Sequence, residues 1–239
     1  MTMARKLMSV DIHDYTIRFA YAERQIATSD ISQHNKKLIF RYRDTCLLRN
    51  VCSRVRLIRV MGVLLLDARL LKKDFDLLTR EDVENLISQL VRREPPYTPE
   101  TLGTYKIITK SFLTWVVQPN DFPTKTPPPL VAWISGHVKA KDKRRLDRRE
   151  LLTPDDIQAL LDVCHNTRDK ALISMLWETG CRIAELGNLQ LLHVIKTAHG
   201  YTLDVNGKTG RRNPLVVNVS SAPYLSQWLA NHPFKDLPD

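Results

Sequence analysis

Five prolines within thirteen residues place the strongest constraint on how this chain folds. They lie in the segment 118–130, QPNDFPTKTPPPL, which shows almost no periodic apolar pattern. Proline removes a backbone donor and disfavours helical geometry in the residue before it, so no helix is expected to run through this segment. A second irregular stretch, KAKDKRRLDRR at 139–149, ends where the apolar pattern resumes at Leu151. We therefore predict an N-terminal extension at 1–26, a domain at 27–117, a proline-rich and basic linker at 118–149, and a second domain at 150–239.

The first domain is predicted to be a small bundle of four helices. Apolar residues recur at helical spacing over 31–46 and again over 55–66, after a break near Asn50. Thr79 begins a pattern that resembles a capping box and opens a third helix. Thr98, followed by proline, has the pattern of an N-cap with proline at the first helical position and opens a fourth.

The second domain is predicted to combine helices with a β-hairpin. It begins with an N-cap at Thr153. The side chains of its first helix that are expected to face the core are Ile157, Leu160, Leu161 and Cys164. A second helix ends at Gly180. Residues 201–205 and 215–219 have strand patterns and are separated by the turn NGKTGRR, which indicates a hairpin with a basic turn. The predicted fold class is therefore mainly α with a small β-hairpin or sheet.

Positive charge is concentrated in two places. The chain carries a net charge of +10. The segment from Lys36 to Lys73 holds eleven basic and two acidic residues, and 139–149 holds seven basic and two acidic residues, while the remainder is slightly acidic. This distribution is typical of a protein that contacts the phosphates of a nucleic acid. No aromatic RNA-recognition motif or K-homology loop is visible, so charge alone leaves open which nucleic acid is bound.

Several other classes of protein are excluded by missing motifs. The histidines lack H-E-x-x-H spacing and the glycines lack a phosphate-loop pattern, so we expect no metal and no cofactor. Four cysteines have no metal-finger spacing and are expected to be reduced thiols: Cys46, Cys52, Cys164 and Cys181. The most apolar stretch, 60–66, is far too short to cross a bilayer, and acidic residues appear before a secretory signal could form. We expect a cytoplasmic, nucleoid-associated protein with no membrane partner.

Three motifs stand out in the second domain: LLTPDDI at 151–157, RDKALI at 168–173 and ETGCRIAELGNL at 178–189. Together they resemble the first conserved box of the tyrosine recombinase (phage integrase) family, especially its archaeal members. The likeness extends to the hairpin turn and upstream to KDFDLLTREDV at 73–83 and TLGTYKIITKSFLTW at 101–115. The resemblance implies a SAM-like helical core-binding domain followed by an incomplete catalytic domain of the α+β class.

The resemblance also assigns two catalytic residues. Arg182, the arginine of T-G-x-R, matches the residue that binds the scissile phosphate, and Lys208 matches the hairpin lysine that protonates the leaving 5′ oxygen. A planar, permanently charged guanidinium suits two non-bridging phosphate oxygens. A salt bridge to Glu185 or Glu178 is the alternative role for Arg182. Glu185 and Thr179 are expected to be structural residues that hold the helix of this arginine.

Further basic residues are predicted to contact DNA. They are Arg54, Arg56, Arg59, Lys106, Lys110, Lys143, Arg144, Arg145, Arg148, Arg149, Arg211 and Arg212. The predicted partner is double-stranded DNA. We expect a monomer off DNA, with assembly among recombinase protomers on DNA left open.

After the hairpin the sequence departs from the family pattern. The family continues with H-x-x-R, a further His or Trp, and a nucleophilic Tyr, whereas the only H-x-x-R here, at 165–168, precedes Arg182. Tyr224 falls where the family has a packing residue. We therefore expect the DNA-binding portion of a site-specific recombinase, from a truncated or split gene or a fragment, that is inactive alone. The alternative is a non-enzymatic accessory protein that binds DNA and competes for a recombinase site.

Overall fold

The computed structural model describes residues 11, 13–143, 146–207, 210–217 and 220–233. The described residues fall into two compact units, one comprising 13–143 and the other 146–233. The first unit is helical and the second combines helices with short antiparallel strands. The prediction of a mainly α fold with a small β-sheet is therefore confirmed.

The first unit contains the four predicted helices and two more. The helices are α1 (Tyr15–Ala27), α2 (Gln33–Leu48), α3 (Arg54–Leu71), α4 (Arg80–Val91), α5 (Pro99–Val117) and α6 (Pro129–Ala132). Thr79 and Asp82 form the expected capping box at the start of α4, and the Thr98 side chain caps α5. Helix α1 lies mostly within the predicted N-terminal extension and packs against α3, so the unit begins earlier than the predicted domain.

Helix α3 is the centre of the first unit, because it packs against α1, α2, α4 and α5. Its buried side chains include Leu57 and Leu64, and burial of each leucine contributes about 1.5–3 kcal/mol. The helix also buries one carboxyl group, that of Asp67. Its Oδ2 accepts a hydrogen bond from Thr109 Oγ1 of α5 at 2.7 Å, whereas Oδ1 has no partner among the described residues. Desolvation raises the pKa of Asp67 to about 7.

The proline-rich segment is packed rather than extended as a free linker. Phe122, Val131 and Ile134 are buried in the core of the first unit. The Lys110 ammonium donates to the carbonyls of residues 132 and 134, at 3.0 and 2.9 Å, and so holds the segment on α5. The prolines prevent a continuous helix, as predicted, but they do not prevent burial of isolated apolar side chains. Such irregular spacing leaves no periodic signal in the sequence.

The second unit contains four helices and five short strands in its described residues. The helices are α7 (Pro154–Val163), α8 (Thr167–Thr179), α9 (Ile183–Gly187) and α10 (Ala222–Ala230). The strands are β1 (Val194–Thr197), β2 (Gly200–Leu203), β3 (Val205–Gly207), β4 (Gly210–Arg212) and β5 (Leu215–Val217). Helix α8 packs against α7, α10 and β5, and α9 contacts β3.

The strands form an antiparallel sheet of order β1-β2-β5 and a separate β3-β4 hairpin. Strand β2 pairs with β5 with Tyr201 opposite Val216, so the two predicted strand segments do pair. The first predicted strand is split near Asp204, whose backbone N–H donates to His193 O at 2.8 Å. Strand β1 was not predicted, because its four residues are too few to establish a period.

One prediction for the first helix of this unit is wrong. Ile157 and Leu161 of α7 are buried, but Leu160 is 41% exposed and Cys164 is only half-buried at the helix end. The helical period places residue 160 on the edge of the apolar face rather than at its centre. In the described part of the chain, no helix has both the length and the apolar character needed to cross a membrane.

Candidate nucleic-acid interface

The T-G-x-R sequence forms a tight turn at the end of α8. Thr179 Oγ1 donates to Met175 O at 2.6 Å and accepts from the backbone N–H of Cys181 at 3.2 Å. Gly180 has φ of +59°, a conformation that glycine adopts without strain, and its N–H closes the helix. Cys181 is buried. Each motif residue therefore contributes to placing Arg182 at a defined point before α9, as expected for Thr179.

A buried carboxylate, that of Glu185, orients Arg182. Its Oε2 accepts from the Arg182 backbone N–H at 2.8 Å, and its Oε1 accepts from Arg182 Nη1 at 2.7 Å. The Glu185 side chain is only 5% exposed. The backbone hydrogen bond and the adjacent guanidinium groups lower the pKa of Glu185 to about 2, so the group is ionised at neutral pH. The other suggested partner, Glu178, instead accepts from the Ser221 hydroxyl.

A second arginine shares the same carboxylate. Arg212 of β4 donates from Nη2 to Glu185 Oε2 at 2.6 Å. The Arg182 side chain remains 55% exposed and that of Arg212 38% exposed. Two guanidinium groups and one carboxylate leave a net charge of +1, with further N–H donors on both arginines. This arrangement can bind an oxyanion.

The β3-β4 hairpin approaches Glu185 closely because of a glycine. A Cβ atom at Gly207 would lie 2.1 Å from Glu185 Oε1, so a side chain there would displace the carboxylate. The next residue, Lys208, lies outside the described residues, and its catalytic role stays a prediction. Arg211, on the same hairpin, forms an ion pair with Asp204, with Nε and Oδ1 2.6 Å apart.

In the first unit, three exposed arginines begin α3. Arg54, Arg56 and Arg59 are exposed and form no salt bridge among the residues that the structure describes. Ser53 caps the helix by accepting from the backbone N–H of Arg56 at 3.3 Å. Positive charge near a helix N-terminus is electrostatically unfavourable for the helix. Helix stability therefore does not account for the arginines of this first turn.

Much of the remaining positive charge between residues 36 and 73 is paired inside the unit. Each of the following cations bonds to a carboxylate or a backbone carbonyl: Lys36 to Ala27, Arg43 to Glu23, Arg49 to Phe122, Arg69 to Asp30 and Lys73 to Asp82. The local charge of this segment therefore overstates the number of cations that can reach DNA.

The other predicted contact residues have mixed positions. Lys143, Arg148 and Arg149 are exposed, and Lys106 is half-buried. Arg144 and Arg145 lie outside the described residues. The Lys110 ammonium donates hydrogen bonds to two backbone carbonyls. The prediction that Lys110 contacts DNA is therefore corrected.

The remaining candidate residues do not gather into a second site. Tyr224 is half-buried against the core of the second unit, in agreement with its predicted packing role. His165 is exposed, and the Arg168 guanidinium pairs with Asp169 at 2.9 Å. Within the described ranges no group of His, Cys, Asp and Glu side chains could hold a metal ion. The four cysteines are free.

The contact between Arg212 and Glu185 was not predicted from the sequence. The two residues are 27 positions apart in the chain, and no local pattern connects them. The close approach of Gly207 to Glu185 was missed for the same reason. Only the cluster of basic residues after Lys208 could have drawn attention to this strand.

The fold and the site together define a mainly helical protein whose second unit carries two partly exposed arginines on one buried carboxylate. Residues 150–238 match the family model described as "Phage integrase family". Over these residues, which are fewer than half of the chain, the sequence is therefore similar to the phage integrase family.

A similar relative is "Tyrosine recombinase XerC" of Roseiflexus sp. (strain RS-1), which is 27% identical over 150 residues. That alignment covers 59% of this chain and 44% of the relative, so the chain matches less than half of that protein's length. A solved structure, "Crystal structure of XerA recombinase", is 17% identical with a TM-score of 0.31, and the match covers 82% of this chain and 63% of the other.

Proposed function

We propose that this chain is the DNA-binding portion of a site-specific tyrosine recombinase and acts in DNA integration and recombination. The observation that carries the proposal is the Arg182 side chain, which is oriented by the buried Glu185 carboxylate yet remains 55% exposed. It lies within the region that matches the phage integrase family. A guanidinium that is both oriented and accessible is suited to a phosphate ligand.

In this proposal Arg182 contacts non-bridging oxygens of the scissile phosphate. Its fixed positive charge stabilises the additional negative charge of the pentacoordinate state, and no reorganisation is needed because Glu185 already orients the side chain. Lys208 donates the proton that the leaving 5′ oxygen requires. Glu185 acts as a positioning residue.

Duplex DNA is held by cations of both units. The exposed arginines at the start of α3 and the basic segment 139–149 contact phosphates, which fixes the protein on the duplex without reading sequence. The chain is a monomer away from DNA in this proposal.

The 239 residues alone bind DNA but do not cleave it. Transesterification needs an oxygen nucleophile in line with the leaving group, and Arg182 and Lys208 supply charge and a proton but no attacking oxygen. Tyr224 packs against the core of the second unit, and the Tyr201 hydroxyl is hydrogen-bonded to Ser226 Oγ at 2.8 Å. We therefore assign neither Tyr224 nor Tyr201 as the nucleophile.

Two measurements test the proposal. Binding to a random-sequence duplex, followed by fluorescence anisotropy at several salt concentrations, is expected to weaken by about 0.9 log units per log unit of salt for each neutralised phosphate. A slope near zero would refute DNA binding. Nicked duplexes, selected from a random library for tight binding, are expected to give no covalent protein–DNA adduct on denaturing gels. An adduct would refute the assigned inactivity.

The second candidate is a non-enzymatic accessory protein that binds DNA and competes for a recombinase site. Adding a family C-terminal segment that carries H-x-x-R and the nucleophilic Tyr distinguishes the two. A recombinase portion is expected to regain adduct formation, which Arg182→Ala should abolish and Lys208→Ala should reduce. Failure to complement, together with competition against a complete recombinase, would favour the accessory role.

A further inference from the structure

We propose that Arg212 and Arg182 together bind a single DNA phosphodiester, with the Glu185 carboxylate holding both guanidinium groups. This inference rests on the proposed function and adds to it a second phosphate-binding residue, which is carried by the hairpin. It also assigns different roles to Arg212 and to its neighbour Arg211.

The two guanidinium groups meet on one carboxylate. Arg182 Nη1 lies 2.7 Å from Glu185 Oε1, and Arg212 Nη2 lies 2.6 Å from Glu185 Oε2. The two guanidinium groups therefore occupy the two oxygens of one carboxylate, which fixes them close to each other. Both side chains are partly exposed, so each keeps N–H donors that an external oxyanion can reach.

The internal hydrogen bonding of Arg212 is incomplete. Its Nε is buried and has no hydrogen-bond partner among the described residues. Among those residues the guanidinium is held only at the Nη2 atom that donates to Glu185, and the side chain is 38% exposed. The exposed part of the guanidinium therefore keeps donors that a ligand oxygen can accept from, beside Arg182.

The charge of the cluster of Arg182, Arg212 and Glu185 also matches the proposed ligand. With both arginines the group carries a net charge of +1, which matches one phosphodiester. With either arginine alone, Glu185 cancels the remaining positive charge, and the cluster no longer neutralises a phosphate. Loss of either arginine is therefore expected to remove most of the site, so the two losses should not be additive.

Arg211 differs from Arg212 although the two are adjacent. Its guanidinium pairs with Asp204 on the same hairpin, and this ion pair has no net charge. Arg212 is oriented toward the carboxylate that holds Arg182, whereas Arg211 is committed to an exposed pair. We therefore assign the phosphate contact to Arg212 and not to Arg211.

The binding test uses the 239-residue chain and a random-sequence duplex. Arg212→Gln and Arg182→Gln are each expected to lower affinity about tenfold and the salt slope by about 0.9. The double variant should lose less than the product of the two single losses. Arg168→Gln is the matched control, because it removes one arginine from an exposed ion pair in the same unit, and it should change affinity less than twofold.

Two further variants and measurements separate binding from folding. Arg212→Lys keeps the charge and is expected to restore most of the salt slope but not the full affinity, since an ammonium lacks the fork geometry. Thermal unfolding of each variant reports any loss of structure. If Arg212→Gln binds DNA as tightly and with the same slope as Arg168→Gln, the inference is overturned while the proposed function stands.

A second probe tests the site without DNA. Dimethyl phosphate is titrated into the ¹⁵N-labelled chain, and the arginine Nε–Hε resonances, assigned from the variants, are followed by NMR. We expect shifts at Arg182 and Arg212 and none at Arg211. If these shifts occur but duplex DNA does not bind, the proposed function is refuted, whereas phosphodiester binding by Arg182 and Arg212 is supported. No shift at Arg212, or shifts at Arg182 and Arg211 instead, overturns the site.

Discussion

Replacing Arg56 with glutamate is expected to stabilise the protein and, at the same time, to weaken its binding to DNA. Arg56 occupies the third position of α3, and its backbone N–H donates to the Ser53 cap. Serine at the N-cap with glutamate three residues later is the capping-box sequence, and a negative charge is favourable at this end of a helix. The arginine is thus unfavourable for the helix and favourable for a phosphate.

The magnitude follows from the position of the residue. Removing a cation and adding an anion in the first turn each contribute about 0.3–1 kcal/mol, with the lower part of the range applying to an exposed side chain. We expect a total gain of about 1 kcal/mol in the free energy of unfolding and a rise in Tm of about 3 °C. The salt slope of DNA binding should fall by at least about 0.9, because one phosphate contact is lost and repulsion is added.

The assays are thermal unfolding by circular dichroism and duplex binding by fluorescence anisotropy. Arg56→Gln should show about half of each effect. Arg92→Glu, at the C-terminal end of α4, controls for the change in net charge, because it makes the same reversal at a helix end where a cation is favourable. It should lower Tm slightly and affect DNA binding less. A lower Tm for Arg56→Glu, or unchanged DNA binding, would refute the reasoning.

Three other predictions follow from buried or crowded groups. The raised pKa of Asp67 means that the folded state holds its proton more tightly than the unfolded state, so stability should fall as pH rises from about 4 to 7. Asp67→Asn should remove this fall in urea unfolding at pH 5 and pH 7. The lowered pKa of Glu185 changes stability with pH in the opposite direction. Glu185→Gln should destabilise the protein at pH 7, with the difference shrinking as pH falls from about 4.5 to 2 in thermal unfolding. Gly207→Ala should lower Tm and DNA affinity through its clash with Glu185, whereas Gly62→Ala, in open space on α3, should stabilise by about 1 kcal/mol, as calorimetry can measure.

Local sequence patterns predicted four helices of the first unit, α2 to α5, because their signals lie within one or two turns. The caps at Thr79 and Thr98 are hydrogen bonds between residues three apart, and apolar spacing defines the buried faces of α2 to α5. The same holds for the cap at Thr153 and the glycine turn at Gly180. Such interactions depend on neighbouring residues, so they can be read from the chain itself.

Several features could not be predicted because no local pattern specifies them. Phe122, Val131 and Ile134 pack into a core whose other residues are distant in sequence. Helix α1 is also bound by packing against α3 rather than by a strong cap, since the Asp14 side chain makes no cap hydrogen bond. In the described residues, most of α1 and the proline-rich segment therefore lie in the compact unit 13–143.

The amino-acid sequence alone identifies Arg182 in its T-G-x-R turn and shows a surplus of positive charge. Which of those charges are accessible depends on how the chain packs. Lys110 and Arg43 bond to internal partners, whereas Arg212 is brought onto the carboxylate that holds Arg182. An ion pair forms between side chains that the packed backbone brings together, so residues 27 positions apart in sequence become neighbours only when the β3-β4 hairpin packs against α9.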